Sequence, residues 1–233
     1  MKEGGIRVAL LVALLVFCAG VVGAQELEKL KKPDPTVPEI FTLTGEFVRV
    51  AYNNEGYVTL GYRVANDSVA EEWMLLEVGA TLHAPTKAQT MKRDAFSLML
   101  PDGSTLPMAS QTEFNKAGHL PALNKRASMV RDSINYFPVQ ADLPCVIGFF
   151  SDPTSRVRSI SYDQVELSSN RACLGRIFFQ VPGKIQTGQH YLNVKFENST
   201  IQVPFRILTK AEEKEFRKKW KDIKKEHDAE YKN

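Results

Sequence analysis

Two cysteines carry the sharpest chemistry in the chain. Cys145 opens "CVIGFFSD" and Cys173 opens "CLGRIFFQV". Alternation places Cys173 with Gly175, Ile177, Phe179 and Val181, an apolar set, and Cys145 with Leu143, Ile147 and Phe149. Sulfur enclosed among such residues is a poor nucleophile, because a reactive thiol needs a lowered pKa and partial exposure. Zinc ligands cluster within a few residues of one another, and no histidine lies near either cysteine. A Cys145–Cys173 disulfide is therefore expected, worth about 3 kcal/mol by loop-closure entropy. The alternative is two buried free thiols acting as small hydrophobes.

Other reactive side chains are scattered. His83, His119, His190 and His227 share no metal-binding spacing and read as structural groups. Asp163 and Glu166 in "SYDQVEL" could supply a carboxylate pair, but such residues on a strand or loop are ordinarily solvated. No GxSxG, HExxH, Walker loop or dinucleotide fingerprint occurs. Catalytic, cofactor and metal residues are accordingly assigned as none. Asn66 in "NDS" and Asn198 in "NST" match the N-glycosylation pattern, and both also suit turns.

The elements that hold these residues follow a period of two from about Phe41 to Leu208. Val58, Leu60, Tyr62 and Val64 fall on one side, as do Met74, Leu76, Val78, Ala80 and Leu82. Phe96, Leu98 and Leu100 repeat the pattern, and so do Ile201, Val203, Phe205 and Ile207. Half-buried strands require this alternation, because successive side chains point to opposite faces. The stretches "NNEG", "ANDS", "PDGS", "DPTS", "PGK" and "ENST" supply turns. About nine strands are expected, in antiparallel sheets packed face to face. Residues 122–137 depart from this period and read as a short helix or an irregular crossover.

The ends differ from the body. Lys2 and Arg7, the apolar run Val8–Phe17, and small residues Val22 and Ala24 predict a signal peptide over 1–24, cleaved before Gln25. An uncleaved N-terminal anchor is the alternative. Residues 25–40 form a spacer rich in proline and lysine. Removing Lys2, Arg7 and Glu3 from 30 basic and 27 acidic residues leaves a net charge of +2. So small a charge gives no electrostatic case for nucleic acid. No later segment is apolar enough to span a membrane.

Residues 209–233 predict a charged helix. Thr209 and Glu212 form a capping box, and Phe216, Trp220, Ile223, His227 and Tyr231 make one stripe. That stripe either lies back on the body, docks on a protein partner or forms a coil, or touches a membrane surface.

"VPGKIQTGQHYLNVKFENSTIQVPFRIL" resembles the closing hairpin of immunoglobulin-like domains. With "YVTLGYRVANDS" and "FSLMLPDGSTLP", residues 41–208 are similar to the telokin-like, immunoglobulin-related domains of secreted bacterial proteins. Tyr191 lies out of phase with His190, Leu192, Val194 and Phe196, which departs from a tyrosine corner. The resemblance implies an antiparallel immunoglobulin-like β-sandwich over 41–208, and with the tail predicted above the expected fold is all-β, such a sandwich followed by a C-terminal α-helix. It implies binding or structural work rather than catalysis, and transfers no site residues. The expected function is an exported, non-enzymatic module acting by protein–protein contact in the periplasm or at the cell surface, without a cofactor. The alternative is a secreted hydrolase or carbohydrate-active β-sandwich using dispersed carboxylates.

Overall fold

The computed structural model describes residues 39–42, 47–118, 120–151 and 160–219. The predicted signal peptide and most of the spacer lie outside them. Twelve strands occur among the described residues, where alternation predicted about nine. Six form one sheet, in the order β1 (Glu39–Thr42), β2 (Val48–Tyr52), β3 (Gly56–Gly61), β4 (Trp73–Leu82), β10 (Arg171–Gln180), β8 (Leu143–Ile147). Four form a second, in the order β12 (Thr200–Ile207), β11 (Gly188–Lys195), β6 (Phe96–Met99), β7 (Thr105–Pro107). β5 (Gln89–Lys92) pairs with β9 (Gln164–Leu167). Every pairing is antiparallel except β8 with β10, which run parallel.

The inner faces of the two larger sheets meet in one core. Leu60, Leu76, Val78, Ile177 and Phe179 from the first join Leu98, Leu192, Val194, Val203 and Phe205 from the second. Each large side chain removed from water in this way stabilises by about 2 kcal/mol before entropy is subtracted. Turn residues set the register. Gly103 in "PDGS" and Gly183 in "PGK" adopt positive φ values of 84° and 72°, which side-chain-bearing residues resist.

The other face of the six-stranded sheet is covered as well. All ten residues of β4 are buried. Trp73, Leu75 and Phe178 point outward, against Phe114 of α2 (Gln111–Lys116) and Leu120, Leu123 and Ala127 of α3 (Leu120–Val130). Ser110 caps α2 and Glu113 returns the bond, a complete capping box. The segment predicted over 122–137 thus divides. Its first part belongs to α3, and residues 131–137 run without regular structure across the sheet.

Two glycines receive that strap. A Cβ on Gly61 would lie 2.8 Å from Ile134 Cγ2, and one on Gly79 would lie 2.6 Å from Phe137 Cζ. Absent side chains leave hollows that these two apolar groups fill. After a short helix, α1 (Arg63–Asn66), and the final strand, the C-terminal helix α4 occupies 210–219. Its capping box forms as predicted: Thr209 N donates to Glu212 Oε2 at 2.8 Å, and Glu212 N donates to Thr209 Oγ1 at 3.2 Å. These bonds and Arg206 hold the exposed Glu212 carboxyl down at about 2.

Candidate functional site

Parallel pairing brings the cysteines together. Cys145 and Cys173 are register partners, with Cα atoms 4.1 Å apart, and they form the predicted disulfide. The bridge pins β8 to β10 at the border of the six-stranded sheet. Cys173 is buried and Cys145 partly so, whereas Leu143, predicted to face the core, is exposed. The reason is position: β8 is the edge strand of its sheet, with a neighbour on one side only.

Exposed apolar residues gather along the same border. Leu143 and Val146 lie on β8, and Ile160 and Tyr162 follow nearby, with Tyr162 N donating to Gly148 O at 2.8 Å. Val146 is 72% exposed. Its register partner is Leu174, so both face outward.

Beside Leu174 a cavity of about 460 Å³ opens between β10 and residues 131–135. Glu77 lies in it, 6% exposed. Arg176 Nε donates to Glu77 Oε1 at 3.4 Å, and Arg131 Nη1 approaches the same oxygen at 3.9 Å. Burial raises the Glu77 pKa, and the two guanidinium groups oppose that rise without cancelling it. Arg176 also donates to Asn124 O at 3.2 Å and to Ser128 Oγ at 3.1 Å, fastening α3 to the sheet. Asp132 is held by Arg63 through two bonds of 2.9 Å.

The sequence reading missed this group, though it left a signal. Glu77 is the one acid in the apolar run "WMLLEVGATL", and Arg176 is the one base between Cys173 and Gln180. Single opposite charges in two otherwise apolar strands are what a buried pair requires.

A different arrangement surrounds Glu55, which is fully buried. Its carboxylate accepts from Gln89 Nε2 at 2.6 Å, Ser199 Oγ at 2.6 Å, and both the backbone and side-chain nitrogens of Asn198 at 3.0 Å. Asn53 Oδ1 accepts from two backbone N–H groups, so its Nδ2 must donate to Ser199 Oγ. The Ser199 proton is thereby directed to Glu55. The acid thereby locks together two turns and the start of β5.

Next to this network, a cavity of about 500 Å³ is lined by β5, Asp94, Ala95, Lys195, Phe196 and Glu197.

The remaining predicted residues are not brought together. Asp163 and Glu166 are exposed, and Glu166 pairs with Arg171 at 3.5 Å. His190 is enclosed, with Nδ1 3.1 Å from Gly188 O. His83 packs against Tyr52 and Tyr57. Burial lowers the pKa of both histidines. Asn66 is buried, its Oδ1 accepting from Leu208 N at 2.8 Å, while Asn198 is exposed in its turn. Among the described residues no cluster of His, Cys, Asp and Glu could hold a metal ion. No helix among them is long and apolar enough to cross a membrane.

Of the predicted tail stripe, Phe216 is half-buried, its ring 5.8 Å from that of Phe47. Phe47 in turn carries the Arg63 guanidinium at 4.7 Å. Trp220, Ile223, His227 and Tyr231 lie outside the described residues, as does His119. Comparison of the chain with protein-family models, curated proteins and solved structures finds no match in any of the three.

Proposed function

We propose that the chain is an exported, non-enzymatic binding or structural module: an immunoglobulin-like sandwich that acts by protein–protein contact in the periplasm or at the cell surface. The observation that carries this reading is the apolar border at β8. Val146, Ile160 and Tyr162 expose carbon along one sheet edge, Val146 and Tyr162 together beside Gly148, with Leu143 exposed on the opposite face of the same strand. The bridged pair of strands keeps that edge in shape. Contiguous exposed apolar surface marks contact sites on soluble proteins. The disulfide supports export, since such bonds persist in oxidising compartments. The seat of Phe216 on Phe47 supports a tail anchored at its root, for which Trp220, Ile223, His227 and Tyr231 are the further contact residues proposed from the sequence.

A photo-reactive side chain at Val146 or Tyr162, in cells exporting the protein, tests the reading. The expected result is one recurrent cross-linked protein, absent when the probe sits at Val69. Monomer alone at both β8-border positions overturns it.

The cavity beside β5 favours a second reading, a secreted hydrolase or carbohydrate-active protein, because Asp94 and Glu197 line it with Phe196. Release of reducing sugar from a polysaccharide panel by the purified chain, abolished by Asp94→Asn with Glu197→Gln, would replace the first reading with this one.

A further inference from the structure

The charges around the outer cavity pair off with one left over. Glu77 is bonded to Arg176, whose other nitrogens are engaged by Asn124 and Ser128. Asp132 is committed to Arg63. Arg131 keeps only a 3.9 Å approach to a carboxylate already in use, and its side chain is 61% exposed. A cation at the rim of a cavity, with its neighbours satisfied, attracts a carboxylate and repels a base.

The surface beyond the cavity is apolar. Leu174 and Gly175 belong to its lining, and Val146, across the strand pairing from Leu174, continues outward to the sheet edge. No strand among the described residues pairs with the other side of β8.

We propose that this cavity receives an acidic side chain from an extended segment of a partner protein, bound by the Arg131 guanidinium, while an apolar residue of the segment covers Val146. The inference rests on the protein-contact reading and names the chemistry of the partner. Both anchor points face the same side of the sheet. In an extended chain, side chains two apart share a side, so the segment carries Asp or Glu at one position and Val, Ile or Leu an even number of residues away. A free inorganic anion would meet Arg131 and leave Val146 in water.

The test uses the full chain and an N-acetylated, C-amidated octapeptide, Ser-Glu-Ser-Val-Ser-Glu-Ser-Val, with a fluorophore on its second Ser. Versions with Lys or Gln in place of Glu are the controls. Anisotropy gives affinity, and 15N shift mapping gives location. The expected result is shifts at 131–135, 146 and 174–176, binding that weakens with salt, and no binding of the lysine peptide. Arg131→Glu lowers affinity by about tenfold or more, and Val146→Asp does so independently. Both positions are exposed, and an unchanged melting curve verifies the fold of each variant.

The inference is overturned by no binding up to about 1 mM, by equal binding of the lysine peptide, by inorganic phosphate competing as strongly as the peptide binds, or by Arg131→Glu leaving affinity unchanged. Cross-linking at Val146 that succeeds while the peptide fails sinks this inference alone and leaves the contact reading standing.

Discussion

The two faces of the six-stranded sheet are built from the same strands and do different work. On the inner face, Val58, Leu60, Leu76, Val78, Ile177 and Phe179 form an unbroken apolar layer against the four-stranded sheet. On the outer face, apolar Trp73, Leu75 and Phe178 give way to Glu77 and Gly79 on β4, Arg176 on β10 and, beside Gly79, Thr59 on β3. Helices cover the first part and the 131–137 strap covers the second. A continuous layer specifies which sheets meet. A floor of small and polar residues leaves hollows and charges, and a pocket survives there.

The largest expected effect tests the inner face. Phe179 is fully buried in the main core. Phe179→Ala removes its contacts and leaves a cavity that close-packed neighbours fill only in part. The expected loss is about 3–5 kcal/mol by urea unfolding. A loss below that of the outer-face variant described next would break the ranking of the two faces.

Gly79→Ala tests the outer face. The added methyl would meet Thr59 Oγ1, Phe137 Cζ and Leu174 Cδ2 together. Thr59 and Leu174 sit on neighbouring strands and have little room to move, so Phe137 must leave its hollow. Overpacking of this kind costs about 1–3 kcal/mol. Loosening of the strap should appear as faster amide exchange across 131–137, with the inner core still protected. Unchanged exchange in that segment would show that the hollow at Gly79 does not hold it.

How much of this was legible depends on the face. Inner-face alternation in "YVTLGYRVA" and "TIQVPFRIL" is a local property, readable because the strand period is two. The cysteines were legible too, since a pair in an apolar pattern has few other uses. In "WMLLEVGATL" the stripe from Met74 to Leu82 predicts one buried face, yet Trp73 and Leu75 in the other phase are as apolar. A run with both phases apolar signals burial on both sides, and so a third layer. "SQTE" at 110–113 carries the capping box of α2 in the same local form as Thr209 and Glu212. The seating of Ile134 over Gly61 and Phe137 over Gly79 was not legible. It depends on contacts between segments more than fifty residues apart, and no local period encodes it. The surplus charge on Arg131 is likewise defined only after its neighbours have been paired in space.

The smallest effect contrasts one histidine from each side. His190, on β11, stacks on Phe205 in the inner core, and its Nδ1–H donates to Gly188 O, since a carbonyl can only accept. Nε2 then has no partner. His83 sits at the end of β4 beside the outward-facing Tyr57, and its Nε2 is also enclosed without a partner. Burial lowers both pKa values below 6.5, so the unfolded chain takes up these protons first as pH falls. Each histidine therefore contributes stability that is complete above about pH 6.5 and declines as pH drops toward the folded pKa. Glu77 and Asp67 act in the opposite sense. Burial raises both, the native state binds their protons more tightly, and acidification through their range favours folding. The wild-type curve mixes these slopes, and the difference between variant and wild type separates them. His190→Asn retains a donor for the Gly188 carbonyl and does not titrate. Between pH 7.5 and 5 it should lose less stability than wild type, by more than the corresponding saving from replacing the half-buried His83. Parallel wild-type and His190→Asn profiles would mean that the inner core hydrates readily enough to charge this imidazole, and that the inner face is no drier than the outer.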